Sequence, residues 1–142
     1  NDPFEAMRNA LNAIRLKQGN HTAYTSAEAL FGSTTNSAKV LGLENSIGKL
    51  QEGFKADLIQ IDINQPHLVP FYAEYASLAY YARASDVVTS IINGKVVMRD
   101  RVVLGIDETK ALEAVAKHIP ALSDKMLKLG GAVHPGLCPC GF

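Results

Sequence analysis

Three side chains that can bind a soft metal ion lie within seven residues near the carboxyl end of the sequence: His134, Cys138 and Cys140. Zinc accepts imidazole nitrogens and thiolate sulfurs, but a structural zinc site usually has four protein ligands. The Cys-x-Cys spacing supplies only two thiolates, and the neighbouring sequence offers no fourth ligand. We therefore interpret this stretch as an irregular tail without a metal site.

The remaining histidines are widely separated: His21, His67 and His118. His21 follows a predicted helix end, and His118 lies off the apolar stripe of the last predicted helix, so both are typical of solvent-facing positions. His67 lies in a loop bracketed by two prolines, and loops carry functional residues more often than cores do. A functional role is therefore a hypothesis for His67, with an ordinary loop residue as the more common alternative.

Five of the ten aromatic side chains crowd into eleven residues: Phe71, Tyr72, Tyr75, Tyr80 and Tyr81. A surface that stacks nucleic-acid bases needs basic neighbours, whereas here only one arginine is close and a glutamate opposes it. We expect these aromatics to pack a short helix against the rest of the fold, with their hydroxyls toward water.

Composition and charge exclude two classes of partner. Fourteen Lys and Arg balance fourteen Asp and Glu among 142 residues, so no net field would attract a nucleic-acid backbone or an anionic membrane. No apolar run approaches the ~18 residues of a membrane span, and the sequence opens with no signal peptide. With its two cysteines close to the end, the chain has no disulfide framework. We expect a cytoplasmic protein and, because residue 1 is not Met, a fragment of a longer one.

Helices are predicted for the first part of the chain. Asp2 is a helix cap followed by Pro3, and Thr25 with Glu28 forms a capping box that opens a second helix ending at Phe31. A Gly-Ser-Thr-Thr-Asn run is expected to interrupt that helix before a third one over residues 35–41. Spacings of three and four place four apolar side chains on one face of the first helix: Phe4, Met7, Leu11 and Ile14.

Strands are predicted for the middle of the chain. The predicted strands cover residues 47–50, 57–63, 87–92, 95–98 and 102–104, with an aromatic helix over 72–82. Ile59, Ile61 and Ile63 share one face of the second strand because side chains alternate. Asn93-Gly94 favours a type I′ hairpin turn, in which both central residues have positive φ.

A long helix is predicted for the last part of the chain, because apolar residues recur at spacings of three and four from Leu112 to Leu129. Pro120 falls inside this stripe and is expected to kink one helix rather than separate two. Gly130-Gly131 ends the helix. The order of helices, strands and helix predicts the α+β class.

The stretch Ile47–Asp62 resembles the G-x-L-x-x-G-x-x-A-D-L-(I/V)-x-x-D run of the amidohydrolase superfamily. Residues 35–43 are similar to the segment that precedes this run in the family. Residues 65–70, 77–80 and 86–97 are similar to the cytosine deaminase and chlorohydrolase branch, and within it to the family of 5-methylthioadenosine/S-adenosylhomocysteine deaminases. Ser37 departs from the family pattern, which commonly has Gly there.

This resemblance implies a metal-dependent hydrolase built on a TIM barrel with a small β-sandwich beside it. Its divalent metal, zinc or iron, would activate a water that breaks a C–N bond of a small adenosine-like substrate. Family members hold the metal through a His-x-His pair, two later histidines and an aspartate. This sequence has no His-x-His, and its four histidines do not match those ligands. No catalytic, cofactor-binding or metal-binding residue is therefore expected in this chain.

The domain boundaries follow from the same resemblance. Residues 1–46 would be the last helices of a truncated TIM barrel, and residues 47–105 would be strands of the small β-sandwich with an inserted aromatic helix. Residues 106–130 would form the carboxyl-terminal helix, and residues 131–142 an irregular tail. The chain alone would then be inactive.

Two further expectations concern assembly. The chain would lack the strands and barrel that cover its own strand edges and the apolar face of its first helix, which favours a homo-oligomer. The alternative function is a stand-alone structural or oligomerisation module, in which the last helix pairs with a partner helix.

Overall fold

A computed structural model describes residues 2–128 of the chain. The chain divides into two compact units, of which the first ends at Leu104 and the second begins at Gly105. In the first unit the helices are α1 (Pro3–Gln18), α2 (Ser26–Phe31), α3 (Ser37–Val40) and α4 (Glu74–Tyr80), and the strands are β1 (Leu58–Ile61), β2 (Val87–Ile92), β3 (Lys95–Arg99) and β4 (Val102–Val103). The second unit contains α5 (Glu108–Lys128). Helices beside an antiparallel sheet confirm the α+β class.

Helix α1 begins at the predicted cap, Asp2, and ends at Gln18. The Asp2 carboxylate accepts hydrogen bonds from the backbone nitrogens of Phe4, at 2.8 Å, and Glu5, at 3.4 Å. These bonds satisfy two of the amide groups that have no partner inside the helix. Gly19 closes the helix with a φ of 60°, a left-handed conformation that a residue without Cβ adopts at no steric cost.

Helix α2 has the predicted capping box, in which Thr25 and Glu28 bond reciprocally. The expected interruption after Phe31 is wrong, because Gly32–Asn36 continues as a π-helical segment that leads directly into α3. Three hydroxyl side chains in this stretch bond back to carbonyls of the same helical stretch, an arrangement that a continuous helix accommodates. These bonds join Ser33 to Ala29, Thr34 to Leu30 and Ser37 to Gly32.

The strand predicted over residues 47–50 is also wrong, because these residues form a bend. The backbone nitrogen of Ile47 donates to the carbonyl of Leu43, so it points away from any strand partner. Gly48 has a φ of 88°, which is incompatible with extended backbone. The bend instead packs against the π-helical segment, where the Thr35 hydroxyl donates to the Gly48 carbonyl at 3.2 Å.

The sheet has the order β1-β2-β3-β4, with every neighbouring pair antiparallel. Asn93 and Gly94, at φ values of 50° and 76°, connect β2 to β3 and confirm the predicted hairpin. Asp100 and Arg101 connect β3 to β4 with φ values of 50° and 64°. Both turns are two-residue connections of the kind that matches the twist of paired strands.

Strand β1 is shorter than the predicted strand over residues 57–63 and does not keep its alternation. The register with β2 shifts between Gln60 and Ile61, so the expected common face of three isoleucines is broken. Ile61 packs against the core, whereas Ile59 and Ile63 are 49% and 41% exposed.

The core of the first unit lies between α1, α2, α4 and the loop before α4. Its buried members are Phe4, Met7, Leu11, Ala29, Leu68, Ala79 and Ala82. The expectation that the apolar face of α1 lacks cover is therefore wrong, since α2, α4 and Leu68 bury it within this chain. The aromatic stretch contributes Tyr80 to the core edge, while Tyr72 and Tyr81 are 80% and 56% exposed.

Helix α5 is one helix of 21 residues with Pro120 inside it, which confirms one helix rather than two. None of the helices in the described part of the chain has the length and apolarity that a membrane crossing requires. The predictions for Leu129, Gly130-Gly131 and the tail with His134, Cys138 and Cys140 lie outside the described residues.

Candidate functional site

The structure separates the histidines that the sequence singled out. His21 lies at an exposed turn after α1, and His118 lies on α5 in the second unit. Among residues 2–128, no group of three or more His, Cys, Asp or Glu side chains is arranged to hold a metal ion. Only His67 has a carboxylate partner in this part of the chain, so the candidate site is built around it.

His67 and Asp86 form a hydrogen-bonded pair. His67 Nε2 lies 2.9 Å from Asp86 Oδ2, and the Asp86 side chain is only 3% exposed. The backbone nitrogen of Arg83 donates to the same oxygen at 2.8 Å. A buried carboxylate is costly unless it is hydrogen-bonded, so these two donors account for its position. The His67 side chain remains 26% exposed and can reach other groups.

A small cavity of ≈280 Å³ lies beside His67. The loop before α4 and the helix itself supply its walls. The lining residues are His67, Leu68, Val69, Pro70, Tyr72, Ala73, Ala76, Ser77 and Tyr81. Asp86 lies behind the imidazole and is not part of this lining.

The connecting turn, defined as Ala82–Asp86, joins the helices to the sheet. On its helical side, Asp2 Oδ2 accepts a hydrogen bond from the backbone nitrogen of Ala84 at 3.0 Å. Arg8 Nη2 donates to the carbonyl of Ala82 at 2.8 Å, and Nε donates to Ala79 at 3.3 Å. The first helix of the chain is thereby fixed to the turn that carries Asp86.

The sheet side of the connecting turn is held in a similar way. Arg101 Nε, from the β3–β4 turn, donates to the carbonyl of Ser85 at 2.9 Å. The backbone nitrogen of Asp62, just after β1, donates to the carbonyl of Asp86 at 2.8 Å. The Asp86 side chain is therefore oriented by contacts from both layers of the first unit.

Two carboxylates near this turn are stabilised in their charged forms. Partial burial opposes ionisation of Asp2, but the backbone N–H groups of Ala84, Phe4 and Glu5 and the Arg8 charge outweigh it, so its pKa is lowered. The backbone N–H of Asn64 and the Gln65 side chain, together with Arg101, lower the pKa of Asp62. Acceptor bonds rather than burial set the charge of these groups.

A second concave surface is an open apolar groove of ≈620 Å³ between α3, the bend at Gly48 and β1. Its apolar lining consists mainly of Phe4, Leu30, Leu41, Ile47, Leu50, Leu58, Ile59, Ile61 and Leu78. Its polar lining residues are Ser33, Thr34, Ser37, Lys49 and Asp57, but most of its exposed surface is apolar, so the groove can bury apolar surface.

Sequence reasoning missed Asp86 as the partner of His67. The two are 19 residues apart and belong to a loop and a turn, and no local pattern links such positions. It also did not predict that Arg8 and Arg101 bind backbone carbonyls at or near the connecting turn. The one available signal was the position of Asp86 directly before a predicted strand, where a side chain can cap the preceding turn.

Comparison with known proteins gives one family. Residues 1–97 match the amidohydrolase family. A 5-methylthioadenosine/S-adenosylhomocysteine deaminase of Pelotomaculum thermopropionicum is 44% identical over 116 residues, which are 82% of this chain and 27% of that protein. A 5′-deoxyadenosine deaminase of Methanosarcina mazei is 40% identical over 116 residues, covering 82% of this chain and 26% of that protein.

Two solved structures have a similar fold. An adenosine deaminase from Xanthomonas campestris with bound zinc aligns with a TM-score of 0.77 at 29% identity, over 81% of this chain and 26% of that chain. An atrazine chlorohydrolase from Arthrobacter aurescens, complexed with zinc, aligns with a TM-score of 0.72. Its 21% identity, over 80% of this chain and 25% of that chain, supports the fold alone. The chain spans about a quarter of the length of the curated relatives that it matches.

Proposed function

The chain belongs to the amidohydrolase family, and from that premise we propose that it is the carboxyl-terminal part of a metal-dependent aminohydrolase. Its substrate would be a small adenosine derivative. The observation that carries this proposal is the 44% identity to a 5-methylthioadenosine/S-adenosylhomocysteine deaminase over 82% of the chain. It agrees with the resemblance seen in residues 35–97, whose family assignment is thereby confirmed.

The proposed reaction is hydrolytic deamination. Water adds to the ring carbon that carries the exocyclic amino group, the C–N bond breaks, and ammonia leaves with a proton from the water. The product keeps the oxygen at that carbon. Reactions of this class require a group that activates the water and a group that transfers protons to the leaving nitrogen.

The described residues do not fit the family's metal. They contain no group of three or more metal-binding side chains in one place, whereas a catalytic metal site needs several protein ligands around an open position. We propose a scaffold role for this chain, because its four histidines do not match the ligand pattern of the family that it resembles. Residues 1–46 would be barrel helices, residues 47–105 would be part of the small β-sandwich, and residues 106–130 the helix that follows.

The proposal is tested by comparing two proteins with 5′-methylthioadenosine as substrate and zinc or iron supplied. The longer protein that contains this chain is expected to release ammonia, and the isolated 142-residue chain is expected to release none above the buffer blank. If the longer protein releases no ammonia from any adenosine derivative tried, the alternative function, a structural or oligomerisation module, would be favoured. Chelator-sensitive release by the isolated chain would show that it contains catalytic residues.

We also propose that the protein is cytoplasmic and forms a homo-oligomer. Burial of the α1 face within this chain removes one of the two reasons for self-association. The other remains, because β1 and β4 lie at the edges of the sheet, and within residues 2–128 each has a strand partner on one side only. Light scattering at micromolar concentration is expected to give at least twice the 15.3 kDa chain mass, and a monomer would contradict this part.

A further inference from the structure

The cavity beside His67 has the features of a small-molecule site. We propose that it binds a single aromatic ring that carries one hydrogen-bond donor, such as a phenol. The donor would bind to Nδ1 of His67, and the ring would lie against the side chains of Pro70, Tyr72 and Tyr81. Binding there does not depend on the proposed deamination.

The pairing with Asp86 determines which imidazole nitrogen is the acceptor. The Asp86 carboxylate offers only acceptor oxygens, so the hydrogen in the 2.9 Å contact belongs to His67 Nε2. In the neutral imidazole the other nitrogen, Nδ1, then carries a lone pair and accepts. Within the described part of the chain Nδ1 has no hydrogen-bond partner, so it can serve a ligand.

The orientation of this acceptor is fixed before any ligand arrives. Asp86 is 3% exposed and is itself held by the backbone nitrogen of Arg83 at 2.8 Å. The same turn is bonded to Asp2 and Arg101, as described above. A site that is already ordered loses less conformational entropy when it binds.

The walls of the cavity indicate the rest of the ligand. The nine lining residues include no Asp, Glu, Lys or Arg, so apart from His67 no ionic partner is offered. Tyr72, Tyr81 and Pro70 supply flat surfaces, and the volume of ≈280 Å³ suits one ring. It lies just below the roughly 300–1,000 Å³ that ligand pockets span. More of the cavity's exposed surface is polar than apolar, which suits a small ligand that combines a ring with a hydrogen-bonding group.

Phenol and anisole make a matched pair of probes, because anisole keeps the ring and the oxygen but has no O–H to donate. Each is titrated into the ¹⁵N-labelled chain while the imidazole and backbone resonances are followed by NMR. Phenol is expected to shift Nδ1 of His67 and the amides of the lining loop, and to bind at least tenfold more tightly than anisole. Equal affinities, or shifts spread over the surface without saturation, would overturn the proposal.

Two variants locate the site. His67→Phe keeps the ring volume but removes the acceptor, and is expected to abolish the preference for phenol. Because it removes the side-chain donor of the buried Asp86 carboxylate and so risks unfolding, Ala76→Phe is made as well. That change fills the cavity from the α4 side, leaves the pair intact, and is expected to abolish binding of both probes. His21→Phe, at an exposed turn, is the control and is expected to bind as the unaltered chain does. Unchanged phenol binding in Ala76→Phe would place the ligand elsewhere and contradict the proposal.

Discussion

The Asp2 carboxylate lies 3.0 Å from the backbone nitrogen of Ala84, a residue 82 positions later in the chain. One oxygen of this carboxylate caps α1, and the other holds the connecting turn. A single side chain therefore fixes both the start of the first helix and its attachment to the sheet-bearing part of the unit.

Because of the charge on Asp2, the free energy of unfolding is expected to decrease as the pH falls into the acidic range. Its pKa is lowered in the folded chain, so its stabilising contribution is fully present above the ordinary pKa of about 3.9 and is lost as the pH falls through the folded value. Asp2→Asn keeps a capping oxygen but removes the charge. The stability difference between the two proteins, from urea unfolding, is expected to shrink below about pH 4. Glu52→Gln, at an exposed turn, is the control, and a difference that does not vary with pH would contradict this assignment.

Gly48 is expected to tolerate no side chain. Its φ is 88°, and a Cβ there would lie 2.9 Å from the Ala38 Cβ and 3.1 Å from the Thr34 carbonyl oxygen. Gly48→Ala is expected to lower the free energy of unfolding by about 2–4 kcal/mol, since backbone strain and overpacking add. Gly53→Ala is the matched control, because Gly53 has a φ of 84° with nothing within 4 Å. Equal losses in the two variants would show that close packing at Gly48 contributes nothing.

The β2–β3 hairpin depends on Gly94 at a φ of 76°. Gly94→Val places a β-branched side chain in a left-handed conformation and is expected to destabilise the chain by at least ~1 kcal/mol. Gly94→Asn is expected to cost clearly less, because asparagine tolerates this conformation. Thermal unfolding followed by circular dichroism measures both. An unchanged melting temperature in Gly94→Val would contradict the role of this turn.

Arg8 is expected to stabilise the end of α4 through its shape as well as its charge. Its guanidinium donates to two carbonyls, of Ala79 and Ala82. Arg8→Lys keeps the charge but loses the fixed geometry of two donors, and is expected to cost about 1–2 kcal/mol in chemical unfolding. Arg99→Lys, on an exposed position of β3, is expected to change stability by less than ~0.5 kcal/mol. A comparable loss in both variants would mean that charge alone matters.

The features that could be predicted from sequence are those whose hydrogen bonds close within a few residues. The Asp2 cap, the Thr25 and Glu28 box and the Asn93-Gly94 turn are of this kind, and all three form as predicted. Local sequence does not predict the secondary structure where the same residues are compatible with two structures. The hydroxyl-rich run after Phe31 contains residues that often break helices, yet here its hydroxyls bond to carbonyls within a backbone that stays helical.

The candidate site was largely beyond prediction because its partners come from distant parts of the chain. Among the histidines of residues 2–128, His67 is the one for which the sequence suggests a functional role, but nothing near it in sequence indicates Asp86. A contact across 19 residues, or across 82 for Asp2 and Ala84, is fixed by the packing of α1 on α4 and not by local preference. The apolar stripe of α1 correctly predicted that one face of this helix is buried. It did not indicate that residues of this same chain bury that face.

The π-helical segment acts as a phase shift between two short helices. An α-helix advances about 100° per residue, so one residue more or fewer in Gly32–Asn36 would rotate everything after it by roughly that angle. With five residues in this segment, Ala29 of α2 lies in the core and Ala38 of α3 lies next to Gly48. Removing one residue there would turn Ala38 away from the bend, so insertions and deletions in this stretch are constrained far more tightly than substitutions.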